Sequence, residues 1–295
     1  MTERRSEFCS DVSVENAEPL VATASRVDHW ILVEYRGLWG YDAVGASGLS
    51  DELKQHLRDR RDARPNTKLL FVRRPHRRAH PALAVIWGSS PERGGELFHA
   101  EIDDYEDLLG LDLTTDARGG GRPVGHPVLL VCTHGKHDRC CARRGRPLYE
   151  ALEAQAEEGW VWQSSHIGGD RFAGNVVFLP DGLYFGRVAP AEAWQVLDEY
   201  LAGRIDLDHY RGRSAYTFSE QAAELAVRGV TGLRGIEDIE LVEHDGAHVC
   251  FRAGSRRFDV GVVYEPGALT YLTCSSGALR HPRHYAAEIL RESVA

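Results

Sequence analysis

No stretch of this 295-residue chain approaches the ~20 consecutive apolar residues that a membrane-spanning helix needs, so no membrane role is expected. The opening residues, MTERRSEFCSDVSVENAEPL, lack the apolar centre of a secretory signal. Excess positive charge is also missing. A net charge of −9 argues against a nucleic-acid partner, which would demand a basic footprint to neutralise phosphates. The basic clusters RRPHRRAH (73–80) and RCCARRGR (139–146) are expected to be solvated faces, one of which could receive an acidic redox partner. Familiar catalytic signatures are absent as well. There is no GxSxG elbow and no P-loop lysine, and DARGGGRP lacks the strand before and helix after that a dinucleotide site requires. Nothing singles out the paired carboxylates of a glycoside hydrolase. A disulfide framework is not expected either. Six cysteines (9, 132, 140, 141, 250 and 274) in a chain of this size without a secretory signal point to metal binding or redox chemistry in the cytoplasm.

What is present is a globular composition, 43% hydrophobic and 27% charged. HWILVEY (29–35), KLLFVRR (68–74) and ALAVIWG (82–88) read as buried strands. LSDELKQHLRDRRD (49–62) reads as a helix capped by Ser50, with acids first and bases last. A short helix is expected over 103–111, and the Gly/Pro tract 116–127 then reads as a hinge. The pattern restarts: a strand over 127–135, an amphipathic helix over 146–159, a strand from 160, a hairpin over 175–188 turning at Pro180-Asp181-Gly182, and a helix over 190–203. This β-α-β-β-β-α order resembles a thioredoxin-like layer, and the first half repeats it in degraded form. Residues 214–295 differ, with a helix over 219–230 capped by Ser219 and then four alternating segments of an antiparallel meander, the last being ALTYLTCSS, with a final helix over 283–293. The expected fold is therefore α/β: thioredoxin-like layers, with an internal duplication as one alternative, and a C-terminal α+β antiparallel module. The expected divisions are 1–118, a linker at 119–126, 127–212, and 213–295.

The chemistry concentrates in VCTHGKHDRCC (131–141), which holds Cys132, His134, His137, Cys140 and Cys141. The spacing from Cys132 to Cys141 is too wide for a CxxC exchange motif and matches no zinc ribbon. A second set is His166 and Asp170 in HIGGDRFAGN, where two glycines permit a sharp bend that brings the pair together. If 127–132 and 160–166 are neighbouring strands, both sets lie at one sheet end. His134 and His137 are expected to orient the loop, Cys250 to be core, and Cys9 to be structural or idle unless its arm folds onto the site.

Together with LYFGRVAP (183–190), CSDVS (9–13), EPLVATA (18–24) and VEYRGLWG (33–40), these motifs resemble the sucrase/ferredoxin-like family, a branch of the thioredoxin-like [2Fe–2S] ferredoxins, over about residues 8–203. The resemblance implies a [2Fe–2S] cluster held by two cysteines and two histidines, the latter in an HxGGH motif. By position, Cys132 and Cys141 are the cysteine ligands and His166 the first histidine. Asp170 stands where the second histidine would be. The fourth ligand is therefore open among Asp170, Cys140, Cys274 and Cys9. Arg139, Arg143, Arg144 and Arg171 are expected to surround the cluster with positive charge. The implied function is a cytoplasmic electron carrier with no turnover of its own, serving a redox partner protein. The alternatives are a thiol-based redox enzyme or sensor, and a structural zinc-binding interaction module.

Overall fold

The computed structural model describes residues 8–74, 80–113 and 120–294. Its centre is one ten-stranded mixed sheet in the order β10-β9-β8-β6-β7-β2-β1-β3-β4-β5. Two stretches of chain build this sheet in the same way. In the first, β1 (His29–Glu34) crosses through α2 (Asp51–Asp62) to β2 (Thr67–Arg73), followed by β3 (Leu83–Ser89) and β4 (Glu96–Ile102). In the second, β6 (Val128–Cys132) crosses through α3 (Arg139–Glu153) to β7 (Val161–Ser164), followed by β8 (Val176–Leu179) and β9 (Leu183–Phe185). Both central strands pair parallel with the strand after the helix and antiparallel with the third strand. In both, the third and fourth strands form an antiparallel pair. A parallel neighbour needs a crossover, and α2 and α3 supply it.

The sequence explains the central strands. HWILVE and VLLVC are almost unbroken apolar runs because both sheet faces are covered, and nearly every side chain in them is buried. The repeats meet edge to edge where β2 pairs antiparallel with β7, Val72 opposite Ser164 and Arg73 opposite Gln163. One core crosses that seam, joining Trp30, Leu32 and Leu70 to Leu130, Trp162 and Val177. Of the Gly/Pro tract expected to be a hinge, 116–119 lie outside the described residues; beyond them Arg122–Pro123 forms β5, an added edge strand on β4.

Smaller differences from expectation have local causes. The short helix over 103–111 is a 3-10 turn, Tyr105–Gly110, capped by Asp104. Near the start of the described residues, Cys9–Glu15 forms a helix, α1, not expected from the sequence. The C-terminal helix α5 (Phe218–Thr231) starts two positions early. Thr217 caps it, forming reciprocal bonds with Glu220, and Ser219 lies inside the helix. β10 (Tyr210–Arg213), just before α5, completes the large sheet beside β9.

The C-terminal region is a separate four-stranded antiparallel sheet, β11 (Ile239–Asp245), β12 (His248–Ala253), β13 (Arg256–Pro266) and β14 (Arg283–Val294), packed on α5. Asp245-Gly246 turns the first hairpin as expected. Two expectations fail here. The segment ALTYLTCSS is not a strand; it is a loop with one isolated bridge, Thr270 to Arg280. Residues 283–293 are not a helix but the fourth strand, paired along nearly all of β13. RHYAAEILRESV contains good helix formers, yet a long free edge on β13 outweighs that weak preference.

Candidate metal centre

Cys132 closes β6 and lies opposite Ser164, the last residue of the parallel strand β7. His166 follows two residues later, so the thiol and the imidazole leave the sheet side by side. Ser165 ties this exit to β2: its N–H donates to the Phe71 carbonyl, 2.7 Å, and its hydroxyl accepts from Phe71 N–H, 3.0 Å. The chain then reverses through Gly168 and Gly169, at φ +106° and +81°. A side chain on Gly169 would also strike the Arg211 guanidinium at 2.3 Å. The turn returns Asp170 to His166, with Oδ1 2.9 Å from Nδ1.

Cys141 arrives from the other direction. Asp138 caps α3 by accepting the Cys140 N–H at 2.8 Å. Gly145 then lets the helix press on the end of β6, since a Cβ there would sit 2.0 Å from the Cys132 carbonyl oxygen. That contact sets Cys141 beside Cys132. Ligand atoms of Cys132, Cys141 and His166 all lie within 4.8 Å of one another, as do those of His137, His166 and Asp170. Cys141 Sγ is 3.3 Å from Asp170 Oδ1.

Both thiols and Asp170 are buried, while the His166 and His137 side chains keep 24% and 20% exposure. The site thus has a buried sulfur side and an imidazole edge toward solvent. His137 stacks on His166 with ring centres 3.8 Å apart and on Tyr41 at 4.8 Å. His134 is closed to metal because both ring nitrogens are in use. Its Nδ1 accepts the His166 N–H at 3.3 Å, so its Nε2 carries the proton and donates to the Gly40 carbonyl at 2.6 Å. Burial holds this imidazole below its ordinary pKa, consistent with the neutral form.

These groups are electrostatically coupled. The two thiols share a proton: the bond from Cys141, with His166, pulls Cys132 well below the ordinary thiol range despite burial, and Cys141 is pushed well above it. Burial alone would lower His166, but Asp170 and the Cys132 thiolate lift it to about 9. Its Nδ1 nevertheless has no aligned hydrogen bond, although it is buried and only 2.9 Å from the carboxylate. Two thiols, an imidazole and a carboxylate gathered in this way suit a borderline-soft metal.

The expected ring of arginines is not what surrounds the site. Arg143 and Arg144 pair with Asp11, Arg171 pairs with Glu18, and Arg139 lies over the Phe8 ring. These charges tie down the N-terminal arm. Two other cations, not singled out from the sequence, sit under the Gly-Gly turn. Lys68 Nζ donates to the Ile167 carbonyl at 2.7 Å, and Arg211 donates to the Gly168 carbonyl at 3.0 Å and to Asn175 Oδ1 at 2.9 Å. Burial lowers Lys68 to about 8 and Arg211 to about 10, while the Cys132 charge opposes both shifts. Among the described residues, neither makes an ion pair with a carboxylate. Cys140 does not join Cys132 and Cys141; its thiol faces Cys9 and Cys274.

The sucrase/ferredoxin-like family model matches residues 20–212. The chain belongs to the sucrase/ferredoxin-like family. Its relatives include proteins named altered inheritance of mitochondria protein 32. The one from Eremothecium gossypii is 34% identical over 109 residues, 31% of this chain and 34% of the relative. That from Debaryomyces hansenii is 30% identical over 99 residues, 30% of this chain and 36% of the relative. The match therefore spans about a third of the curated relatives' length. Among solved structures, the wild-type thioredoxin-like [2Fe–2S] ferredoxin from Aquifex aeolicus is 17% identical, with TM-score 0.27, over 30% of this chain and all of that one.

Proposed function

We propose that this family member is a cytoplasmic electron carrier whose [2Fe–2S] cluster is held by Cys132, Cys141, His166 and Asp170. The repeated β-α-β-β-β order is read here as a duplicated thioredoxin-like layer, with 127–212 as the cluster-bearing unit. The observation that carries the reading is the convergence of two buried thiols, the His166 imidazole and the Asp170 carboxylate at the paired ends of β6 and β7. When bound, the cluster supplies reversible one-electron transfer.

The chain's own residues divide the remaining work. Cys132 and Cys141 bind from the buried side. His166 binds where its ring reaches solvent, which gives a redox partner protein an approach. His134 holds the His166 backbone in place, and the stacked His137 limits the swing of its ring. Lys68 and Arg211 offset negative charge from beneath the turn and favour the more negative, reduced state. Asp170 in place of an imidazole acts in the opposite direction, since an anionic ligand lowers the potential.

Purification without oxygen tests this directly. Iron and sulfide in equal amounts, with visible absorption bands, are the expected result, and a colourless protein without iron sinks the proposal. Asp170→His is expected to raise the reduction potential. If Asp170→Ala keeps the full bands while His137→Ala loses them, His137 is the fourth ligand instead. A second reading, a thiol-based redox enzyme, rests on the stabilised Cys132 thiolate. It requires metal-free protein with one fast-alkylating cysteine; uniformly slow thiols eliminate it.

A further inference from the structure

Three cysteines that the sequence scatters meet at a second point. Cys9 opens α1, Cys140 sits in the first turn of α3, and Cys274 lies on the loop between β13 and β14. Their sulfurs are 3.2 Å (Cys140–Cys274), 3.5 Å (Cys9–Cys140) and 3.6 Å (Cys9–Cys274) apart. The Asp138 carboxylate completes the group, 3.8 Å from Cys9 Sγ, and all four ligand atoms lie within 4.8 Å of one another.

Two ordinary explanations fit poorly. Buried cysteines often serve as small hydrophobes, but these surround a carboxylate that is only 2% exposed. That carboxylate has no cationic partner among the described residues. A disulfide would pair two sulfurs and leave the third aside, whereas here all three are mutually close. Tetrahedral zinc with Zn–S of ~2.3 Å sets sulfurs ~3.8 Å apart, so a small outward shift of these three would admit a single ion. The surroundings also suit thiolates. The Cys9 N–H donates to Cys274 Sγ and the Ser10 N–H to Cys140 Sγ, each at 3.4 Å. Asp138 is oriented by backbone donors, with Oδ1 accepting from Cys140 N–H at 2.8 Å and Oδ2 from Cys274 N–H at 2.6 Å. Such contacts fix ligand direction at metal sites.

We infer that Cys9, Cys140, Cys274 and Asp138 form a structural site for a divalent cation of the zinc class. Binding of the dication releases the three thiol protons to solvent and places a cation directly beside the Asp138 carboxylate. The ion staples the N-terminal arm and the C-terminal loop to the start of α3. Because Cys140 and Cys141 are consecutive, the staple also steadies one wall of the neighbouring site. The inference stands apart from the iron–sulfur reading, because the two sites share no ligand.

The test is metal analysis of the full chain, followed by chelator stripping and titration with cobalt(II) alone. The wild type is expected to hold one zinc per chain and, after stripping, to develop the intense thiolate-to-cobalt bands of a tetrahedral sulfur site. Cys274→Ser is expected to lose those bands and the zinc while keeping its iron. Cys9→Ser, on a different peripheral segment, should do the same and covers the case in which the first variant fails to fold. The inference is overturned if the wild type binds neither ion, if its intact mass is lower by the two hydrogens of a disulfide, or if both variants retain full zinc.

Discussion

The two repeats of the large sheet end their central strands in the same place with opposite contents. β1 ends at Glu34, opposite Val72 of β2; β6 ends at Cys132, opposite Ser164 of β7. In the first repeat the position is closed by a buried ion pair. Glu34 Oε2 accepts from Arg74 at 2.8 Å and from the Ala84 N–H at 3.1 Å, although Oε1 stays bare. In the second repeat the equivalent space holds two thiols, an imidazole 2.9 Å from the Asp170 carboxylate, and two nearby cations that, among the described residues, pair with no carboxylate. One frame thus carries a strand end whose charge is paired from within and another that gathers metal-ligating side chains. Function here is a matter of which side chains stand at one strand end, not of a different backbone.

The largest expected effect breaks the second repeat alone. Cys141→Ala should abolish the visible bands and the bound iron, while far-ultraviolet circular dichroism stays that of the folded protein. Retention of full iron would remove Cys141 from the site. Gly145→Val should come next, because the added carbons would sit against the Cys132 carbonyl, where even a Cβ lies at 2.0 Å. The helix must move away, so iron content should fall several-fold with both thiols still present. Wild-type iron in that variant would show that the close approach of α3 is not what positions Cys141. The first repeat should respond in the opposite manner. Arg74→Met leaves Glu34 buried and uncompensated, at a cost of about 3–5 kcal/mol. That loss should appear in denaturant unfolding of the cluster-free protein, with iron loading in the folded fraction unchanged.

These differences were unevenly legible in the sequence. HWILVE and VLLVC announced central strands because burial on both faces leaves long apolar runs, and the Gly-Gly pair announced the turn that returns Asp170 to His166. Ligand convergence followed from two neighbouring strand ends, a local inference. The Cys9–Cys140–Cys274 group was not legible in that way, since Cys9 and Cys274 are separated by 265 positions and no spacing rule connects them. The available signal was arithmetic: once Cys132 and Cys141 were used and Cys250 assigned to a strand, three cysteines remained unexplained. Lys68 was hidden for a related reason. It stands on β2, in the other repeat, and only the β2–β7 seam brings it beneath the turn.

That seam gives the smallest and most discriminating prediction. Burial depresses Lys68 from 10.5 to about 8, so between those values the unfolded chain holds a proton that the folded chain has released. Stability of the cluster-free protein should therefore rise with pH across this window. The charged lysine destabilises the fold below pH 8, by an amount on the order of 3 kcal/mol at most. Lys68→Met should remove that slope and make the cluster-free protein more stable at neutral pH. In the loaded protein the sign should reverse. If Lys68 reaches across the seam from the first repeat to meet an anionic centre, the same substitution should lower the reduction potential and speed cluster loss. Equal stabilisation of both forms would mean that Lys68 serves only the Ile167 carbonyl, and that the contrast between the two strand ends stops at the thiols and the imidazole.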